Sequence, residues 1–300
     1  NPATPSFTGI RKVDVALEEL VPFIDWQFFF AAWELKGRFP KIFDDPKIGK
    51  AAKDLYDHAQ KLLQQIVDGR LIRARGVYGF WRANAQGDDI VLDNGVRFPM
   101  LRQQEVIADA KPNRSLADFV APLESGVTDY IGAFAVTAGL GVDELVRKYE
   151  AQHDDYSAII VKAIADRLAE AFAEYLHARA RADWGFGDAL SNDDLIEENY
   201  RGIRPAYGYP ACPDHSEKAR LFDLLNARSQ GLDLTESFAM TPAASVSGLF
   251  FSHPQSKYFA IQRIGLDQVE DYARRKGMTV AEVERWLRPV LAYEPSLAAV

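Results

Sequence analysis

The sequence predicts an α+β fold: a single domain in which helices surround a twisted, mainly antiparallel β-sheet. Apolar residues recur at helical spacing in residues 47–67 and again in residues 142–182. Between them, residues 76–100 contain three short strand-like segments, and the last two of these are joined by an Asn94-Gly95 turn. Strands joined by so short a turn pair antiparallel, which favours a sheet of this kind.

The predicted elements follow in order along the chain. The first long helix covers residues 47–67 and ends near Gly69. Strands are predicted at residues 76–81, 89–92, 96–100, 129–136, 234–240, 245–251 and 258–261, and the segment 137–141 is expected to be flexible. Further helices are predicted within residues 142–182, which hold two, and at residues 216–228, 266–275 and 280–287, the last two being separated at Gly277.

The composition limits the classes of function. A net charge of −8 argues against a nucleic-acid partner, because proteins that bind phosphate backbones concentrate positive charge. It suits a cationic ligand better. The single cysteine, Cys212, excludes an internal disulfide and is typical of a reducing cytoplasm. No apolar run reaches membrane-spanning length and the N-terminus lacks a signal-peptide pattern, so we expect a soluble, cytosolic protein.

Residues 204–215 form the segment with the clearest chemical content. Three prolines remove backbone donors and hold the chain in a stiff, extended loop. Arg204 brings a planar cation suited to a carboxylate, and Tyr207 and Tyr209 bring aromatic faces suited to a flat ring or a positive charge. Gly208 allows another backbone or a ligand to approach closely. The segment therefore predicts a site for a small zwitterion, although a proline-rich loop is also compatible with plain surface.

Polar residues of the second long helix lie on roughly one side of it, at Asp166, Glu170, Glu174 and His177. Adjacent acids repel one another on a surface, which favours a cation or an outside partner facing them. The alternative, a solvated face that also carries basic residues, is equally compatible with Asp166 and Glu174.

Two Glu-x-x-His pairs, Glu150 with His153 and Glu174 with His177, raise a rival hypothesis of a di-metal carboxylate site. That site needs two further inward glutamates and a four-helix bundle, whereas this chain devotes much of its length to strands and loops. Asp25 also has two interpretations, because an acid among aromatic residues either caps a helix or holds a ligand.

A family resemblance covers nearly the whole chain. The segment Arg204-x-x-x-Gly208-Tyr209-Pro-Ala-Cys-Pro-Asp-His215, preceded by Glu198-Asn-Tyr-Arg-Gly-Ile, resembles the S-adenosylmethionine-binding signature of the activation domain of cobalamin-dependent methionine synthase. The likeness extends to residues 21–26, 118–122, 129–135, 150–156, 237–240, 252–258 and 269–277. It departs at Phe259, where relatives can have a second tyrosine, and at Tyr207, where proline can occur.

The resemblance implies a set of ligand contacts. Asp25, Arg204 and the Tyr258-Phe259 pair match positions that contact S-adenosylmethionine, and Ala206 would offer backbone groups to the adenine edge. Arg204 would bind the carboxylate, with Asp25 and Glu198 as candidates for the ammonium group. The remaining candidates are Glu170, for the sulfonium or the adenosine, Gly208 in the loop, and Tyr209, Tyr258 and Phe259 as aromatic cover. No catalytic residue and no metal ligand is expected.

The resemblance also implies partners and a division of the chain. Residues 1–9 would be a linker from an upstream cobalamin-binding domain, and residues 10–300 the activation domain. Asp166 would meet the cobalamin-binding domain, and flavodoxin or a similar flavoprotein would supply electrons for reductive methylation of cob(II)alamin. The isolated chain would bind ligand without turnover, since it lacks an Asp-x-His-x-x-Gly corrinoid motif and a cysteine cluster for zinc. A free-standing activation or assembly protein for another corrinoid enzyme remains the alternative.

Overall fold

Two long strands form the centre of the molecule. The structure is a computed structural model that describes residues 2–105, 112–187, 190–191, 194–195, 197 and 200–295. Strand β2 (Arg73–Gln86) pairs antiparallel with β5 (Asp129–Leu140), with Tyr78 opposite Phe134. Nearly every residue of β5 is buried, because the sheet is covered on both faces.

The other strands extend this pair into a six-stranded sheet. Strands β1 (Gly9–Val15) and β3 (Asp89–Leu92) pair with successive halves of β2, and β4 (Arg97–Pro99) pairs with β3. On the other side, β5 pairs with β8 (Ser245–Phe250). All these pairings are antiparallel, so the predicted fold class and the predicted hairpin are both confirmed.

Helices cover both faces of the sheet. In chain order they are α1 (Leu17–Leu20), α2 (Trp26–Ala31), α3 (Gly49–Asp68), α4 (Val142–Glu150), α5 (Asp155–Asp183), α6 (Lys218–Leu225), α7 (Leu266–Lys276) and α8 (Val280–Leu287). The helices α3 and α5 pack with Tyr78 and Phe134 on one face. On the other face, α6 packs with Val77 and Ile131, as the alternation of side chains along a strand requires. A smaller cluster joins α7 and α8.

Helix α5 is the longest of the described elements, with 29 residues, and its start is defined by local chemistry. The side chain of Asp154 caps its first turn by accepting a hydrogen bond from the Ser157 N–H at 3.0 Å. At a rise of 1.5 Å per residue, the helix is about 43 Å long. None of the described helices has the length and apolar character required to cross a lipid bilayer.

Three predicted segments differ from the structure. Residues 137–141 were expected to be flexible, but β5 continues to Leu140 because the Thr137 hydroxyl and the Ala138 N–H both donate to the Ala244 carbonyl. Residues 234–240 form no continuous strand: the chain turns at Phe238, which has φ of 59°, between β6 (Asp233–Leu234) and β7 (Met240–Thr241).

The third difference lies beside the site. Residues 258–261 were predicted as a strand, and the structure shows irregular chain there. The reason is that this segment packs against the proline-rich loop instead of joining the sheet: the Ile261 N–H donates to the Pro210 carbonyl at 2.7 Å.

The first residues of the chain contact the fold. The Ser6 N–H donates to the Asp183 carbonyl at 2.7 Å, and the Trp184 ring N–H donates to the Ala3 carbonyl at 3.1 Å. Phe7 packs edge-on against Tyr78, with ring centroids 5.6 Å apart. The expectation that residues 1–9 lead from an upstream domain stays a prediction.

Candidate functional site

The proline-rich loop and helix α5 enclose a cavity of about 960 Å³. Its walls come from four regions distant in sequence: the turn between α1 and α2, the middle of α5, the loop, and the segment after β8. Its lining residues are Phe23, Asp25, Phe28, Phe134, Arg167, Glu170, Ala171, Glu174, Glu197, Arg204, Pro205, Ala206, Tyr209, Pro210, Ala211, Val246, Tyr258, Phe259 and Ala260. The volume lies at the upper end of the range typical of small-molecule sites.

Most of the site residues predicted from the sequence meet in this cavity. Those that line it are Asp25, Glu170, Arg204, Ala206, Tyr209, Tyr258 and Phe259. Three predicted residues do not appear among them: Glu198 lies outside the described residues, Gly208 lies within the loop, and Tyr207 is buried with its ring stacked on Phe98. Residues that sequence reasoning did not place in the site include Arg167 and the apolar floor formed by Phe134 and Val246.

Backbone pairing with the edge of the sheet places Arg204. The Ile203 N–H and carbonyl both bond to Phe251, and the Leu249 N–H donates to the Pro205 carbonyl at 3.0 Å. Successive side chains of such an extended segment point to opposite faces. Ile203 therefore packs into the core, and Arg204 faces α5. A glycine at position 248 is required here, because a Cβ would lie 2.5 Å from the Pro205 carbonyl oxygen.

The tip of the loop is a tight turn that rests on His215. The Gly208 N–H donates to the Cys212 carbonyl at 2.8 Å, and the Cys212 N–H donates to the Tyr209 carbonyl at 3.0 Å. Gly208 has φ of +93°, and a Cβ there would lie 2.1 Å from the His215 ring. Gly208 was predicted to admit another backbone or a ligand, whereas the group that approaches it in the structure is the side chain of His215.

The guanidinium of Arg204 contacts a buried group of residues. Its Nη1 lies 2.7 Å from Oε2 of Glu174, which is 5% exposed. The same Nη1 donates to the Tyr200 hydroxyl and lies 3.5 Å from Nδ1 of His177. Burial, with Arg204 and Arg181 nearby, lowers the pKa of His177 well below its ordinary value, so the imidazole is neutral beside the cation.

The four polar residues on one side of α5 have different environments. Asp166 is exposed and pairs with Arg167 at 2.5 Å, whereas Glu174 and His177 are buried. The solvated-face alternative is therefore wrong for Glu174. Glu170 lies between these extremes: burial raises its pKa, and the charges of Arg167 and Arg204 oppose that rise.

The capping interpretation of Asp25 is confirmed, and its role toward a ligand stays a prediction. Its side chain caps α2 by accepting a hydrogen bond from the Gln27 N–H at 2.8 Å. The residue also lines the cavity. Since a carboxylate has four lone-pair positions, capping one N–H leaves it capacity to accept from a ligand ammonium group.

Aromatic rings form the rim of the cavity. Tyr209 and Phe28 are each 61% exposed, and Tyr258 is 46% exposed. Phe259 also lines the cavity and contacts Phe119, with ring centroids 6.4 Å apart. The carbonyl of Ala206 accepts from the Tyr209 N–H and the Cys212 thiol inside the loop. An exposed aromatic rim suits a flat or cationic ligand.

The two Glu-x-x-His pairs do not combine into the di-metal site of the rival hypothesis. Glu174 and His177 contact Arg204, while Glu150 lies 3.9 Å from Lys162 at the end of α4. Within the described ranges, no three His, Cys, Asp or Glu side chains are grouped closely enough to hold a metal ion.

Comparison with known proteins gives the same family as the sequence resemblance. The family described as "Vitamin B12 dependent methionine synthase, activation domain" matches residues 16–277. Among solved structures, this chain is similar to the crystal structure of the MetH reactivation domain bound to AdoHcy, with 51% sequence identity and a TM-score of 0.95. The match covers 98% of this chain and 94% of that chain.

Proposed function

Because this chain belongs to the family of activation domains of vitamin B12-dependent methionine synthase, we propose that its cavity binds S-adenosylmethionine and presents the methyl group for transfer. The family places the chain within a methyltransferase enzyme. The observation that supports the ligand most strongly is the meeting of Arg204, Asp25, Glu170 and Tyr258, from four separate segments, in one cavity. The similar solved domain contains AdoHcy, which is S-adenosylmethionine without its transferred methyl group.

Each part of the ligand has a chemically suitable partner in the cavity. The guanidinium of Arg204 binds the carboxylate, since a planar fork matches two carboxylate oxygens. Asp25 accepts from the ammonium group, and Glu198 is a further candidate for it. Glu170 is a negative charge for the sulfonium or an acceptor for the adenosine.

The remaining predicted residues cover the ligand. Tyr209 and Tyr258 lie at the rim, where they stack on the adenine or face the sulfonium, and Phe259 closes the wall behind them. The backbone of Ala206 borders the adenine edge. Gly208 contributes through the shape of the loop, because it allows His215 to support the turn. Together these residues would hold the methyl carbon in a fixed direction, which is how a domain without acid or base chemistry accelerates a transfer.

The proposed acceptor belongs to another domain. S-adenosylmethionine supplies an electrophilic methyl group, and the cobalamin of a neighbouring domain, reduced by one electron from flavodoxin or a similar flavoprotein, accepts it. We place Asp166 at the surface that meets the cobalamin-binding domain, because its side chain is 56% exposed and it precedes Glu170 by one turn on α5. This reaction would take place in the cytoplasm, whose reducing conditions are compatible with the free thiol of Cys212.

Calorimetry tests both the identity of the ligand and the role of Arg204 in binding it. The wild-type chain is titrated with S-adenosylmethionine and with AdoHcy, and the titration is repeated with Arg204→Ala. We expect the variant to bind about 30-fold to 1,000-fold more weakly, as expected for the loss of a bidentate charged contact worth about 2–4 kcal/mol. Equal affinity in both proteins would refute the assignment of Arg204.

A further inference from the structure

Glu174 is the buried partner of the residue assigned to the ligand carboxylate. Its Oε2 lies 2.7 Å from Nη1 of Arg204, and the Arg204 side chain is only 16% exposed. Breaking a pair of this kind leaves an uncompensated charge away from water. The pair therefore holds the guanidinium at the cavity wall more firmly than a surface ion pair would.

Neighbouring rings restrict the arrangement further. The Tyr200 hydroxyl contacts both members of the pair, accepting from Nη1 of Arg204 and donating to Oε2 of Glu174 at 3.3 Å. The His177 ring stacks on Phe250, with centroids 5.1 Å apart and planes 4° from parallel. Glu174 and His177 are three residues apart on α5, so one rigid helix carries both contacts.

The orientation of a guanidinium decides what it can bind. Two parallel hydrogen bonds to a carboxylate require the plane of the fork to be fixed, and a long side chain that is already ordered loses less freedom when ligand arrives. Arg204 sits on an extended segment with no helix of its own, so its backbone alone does not set this plane.

We propose that Glu174 is a positioning residue, which orients the Arg204 guanidinium for the carboxylate of the ligand and acts on binding through Arg204. This inference rests on the proposed function. It also gives the Glu174-x-x-His177 pair a role in place of a metal ligand set. The alternative is that the pair serves stability alone, in which case removing Glu174 lowers stability and leaves the discrimination between ligands unchanged.

The test uses two ligands that differ by one group. Affinities for S-adenosylmethionine and for decarboxylated S-adenosylmethionine are measured by calorimetry on wild type, Glu174→Gln, Arg204→Ala and the double variant. We expect Glu174→Gln to weaken S-adenosylmethionine binding about tenfold and to change binding of the decarboxylated ligand less than about twofold. In the Arg204→Ala background, Glu174→Gln should have no further effect on either ligand.

A matched control separates positioning from stability. Asp89 is a similarly buried carboxylate, paired with Arg275 at 2.5 Å and Arg97 at 2.7 Å, and none of these three residues lines the cavity. Asp89→Asn should lower the melting temperature without altering either affinity. Should Glu174→Gln fail to fold, Glu174→Asp, which keeps the charge but withdraws it from Arg204, is expected to show the same selective loss to a smaller degree.

The outcomes distinguish this inference from the function on which it rests. If wild type binds S-adenosylmethionine and Arg204→Ala weakens it, but Glu174→Gln weakens both ligands equally or neither, the positioning role is wrong and the proposed function stands. If wild type shows no preference for the ligand with a carboxylate, the assignment of Arg204 itself is wrong.

Discussion

The backbone N–H of Arg204 donates a hydrogen bond to the Tyr258 hydroxyl at 3.1 Å, and this bond joins two walls of the cavity. A second bond, from the Ile261 N–H to the Pro210 carbonyl, ties the same two segments together at 2.7 Å. The segment after β8 thus supports the loop as well as contributing its own side chains. Its irregular path, which differs from the predicted strand, is what allows both roles.

Removal of the Tyr258 hydroxyl should loosen this connection. We expect Tyr258→Phe to keep the aromatic cover and to weaken S-adenosylmethionine binding about fivefold, because one hydrogen bond contributes about 1 kcal/mol. Calorimetry measures the affinity. Tyr149→Phe, which removes a hydroxyl bonded to Gln65 at 3.3 Å on a remote surface, serves as the control and should bind as wild type does. A Tyr258→Phe variant with wild-type affinity would show that the bond does not hold the loop for binding.

A side chain at position 208 should displace His215. We expect Gly208→Ala to lower the free energy of unfolding by about 2–4 kcal/mol, from the strain of positive φ and from the clash with the imidazole ring. Urea denaturation measures it. Gly87→Ala is the matched control: Gly87 also has positive φ, of +58°, but a Cβ there has no neighbour within 4 Å. A loss no larger than that of the control would contradict the steric role of His215.

The buried His177 should make stability depend on pH. Burial, Arg204 and Arg181 lower its pKa in the folded state, so the unfolded chain binds the proton first. Stability from this group is therefore complete above pH 6.5 and declines as pH falls below it. The free energy of unfolding should be about 1.4 kcal/mol lower at pH 5.5 than at pH 7.5.

The surroundings of His177 require a control for this measurement. Tyr200 packs edge-on against the His177 ring, and its hydroxyl donates to Glu174. A second histidine, His215 in the loop, also has its pKa lowered, by burial and by Lys218. His177→Gln removes one titrating group and keeps the others. Urea denaturation across the same pH range should show a flatter profile for this variant, and an unchanged profile would assign the effect elsewhere.

Asp166 should matter to the assembled enzyme and not to the isolated domain. Its exposed carboxylate pairs with Arg167, outside the buried group around Arg204. We expect Asp166→Asn to leave S-adenosylmethionine affinity nearly unchanged and to slow reductive reactivation of full-length enzyme. Glu150→Gln, at an exposed pair near the far end of α4, is the control. Reactivation at the wild-type rate in Asp166→Asn would remove this residue from the interface.

Lys276 should be essential for the base of the loop. Its Nζ contacts Asp214 and lies 3.0 Å from Oε1 of Glu217, and all three side chains are buried. Lys276→Met would leave the buried Asp214 without its cation and Glu217 with Arg220 alone, so we expect a loss of about 3–5 kcal/mol. Lys53→Met breaks an exposed pair with Asp57 and should cost less than about 1 kcal/mol. Similar losses in the two variants, measured by urea denaturation, would contradict the buried network.

Local chemistry explains which parts of the fold were predictable. The Asn94-Gly95 turn and the apolar spacing of α3 are encoded by adjacent residues, and both predictions were confirmed. The pairing of Ile203 with the edge of β8 was missed, because three prolines indicate a loop while the carbonyls that they leave intact still accept hydrogen bonds. Residues 234–240 were predicted as one strand, and the turn at Phe238 that divides them was missed because it depends on tertiary contacts with Trp286 and Lys218.

The sequence predicted which residues form the site better than it predicted how those residues contact one another. Arg204 and Asp25 carry chemistry that points to a zwitterionic ligand, and both line the cavity. The role of Glu174 was not evident, since helical spacing gives the direction of a residue on α5 but not the burial that increases along it. The exposed Asp166 and the buried Glu174 look alike in sequence, and the structure distinguishes them by the contact of Glu174 with Arg204.

The continuous helix α5 fixes the distance between the residues that it carries. It contains no glycine or proline, and eight residues, about 12 Å along the axis, separate Asp166 from Glu174. A domain that docks at Asp166 therefore lies at a distance from the Glu174–Arg204 pair that the geometry of the helix sets. Insertion of a single amino acid between the two would swing one by about 100° around the axis relative to the other. The roles proposed for Asp166 and Glu174 therefore require a fixed number of residues between them on α5.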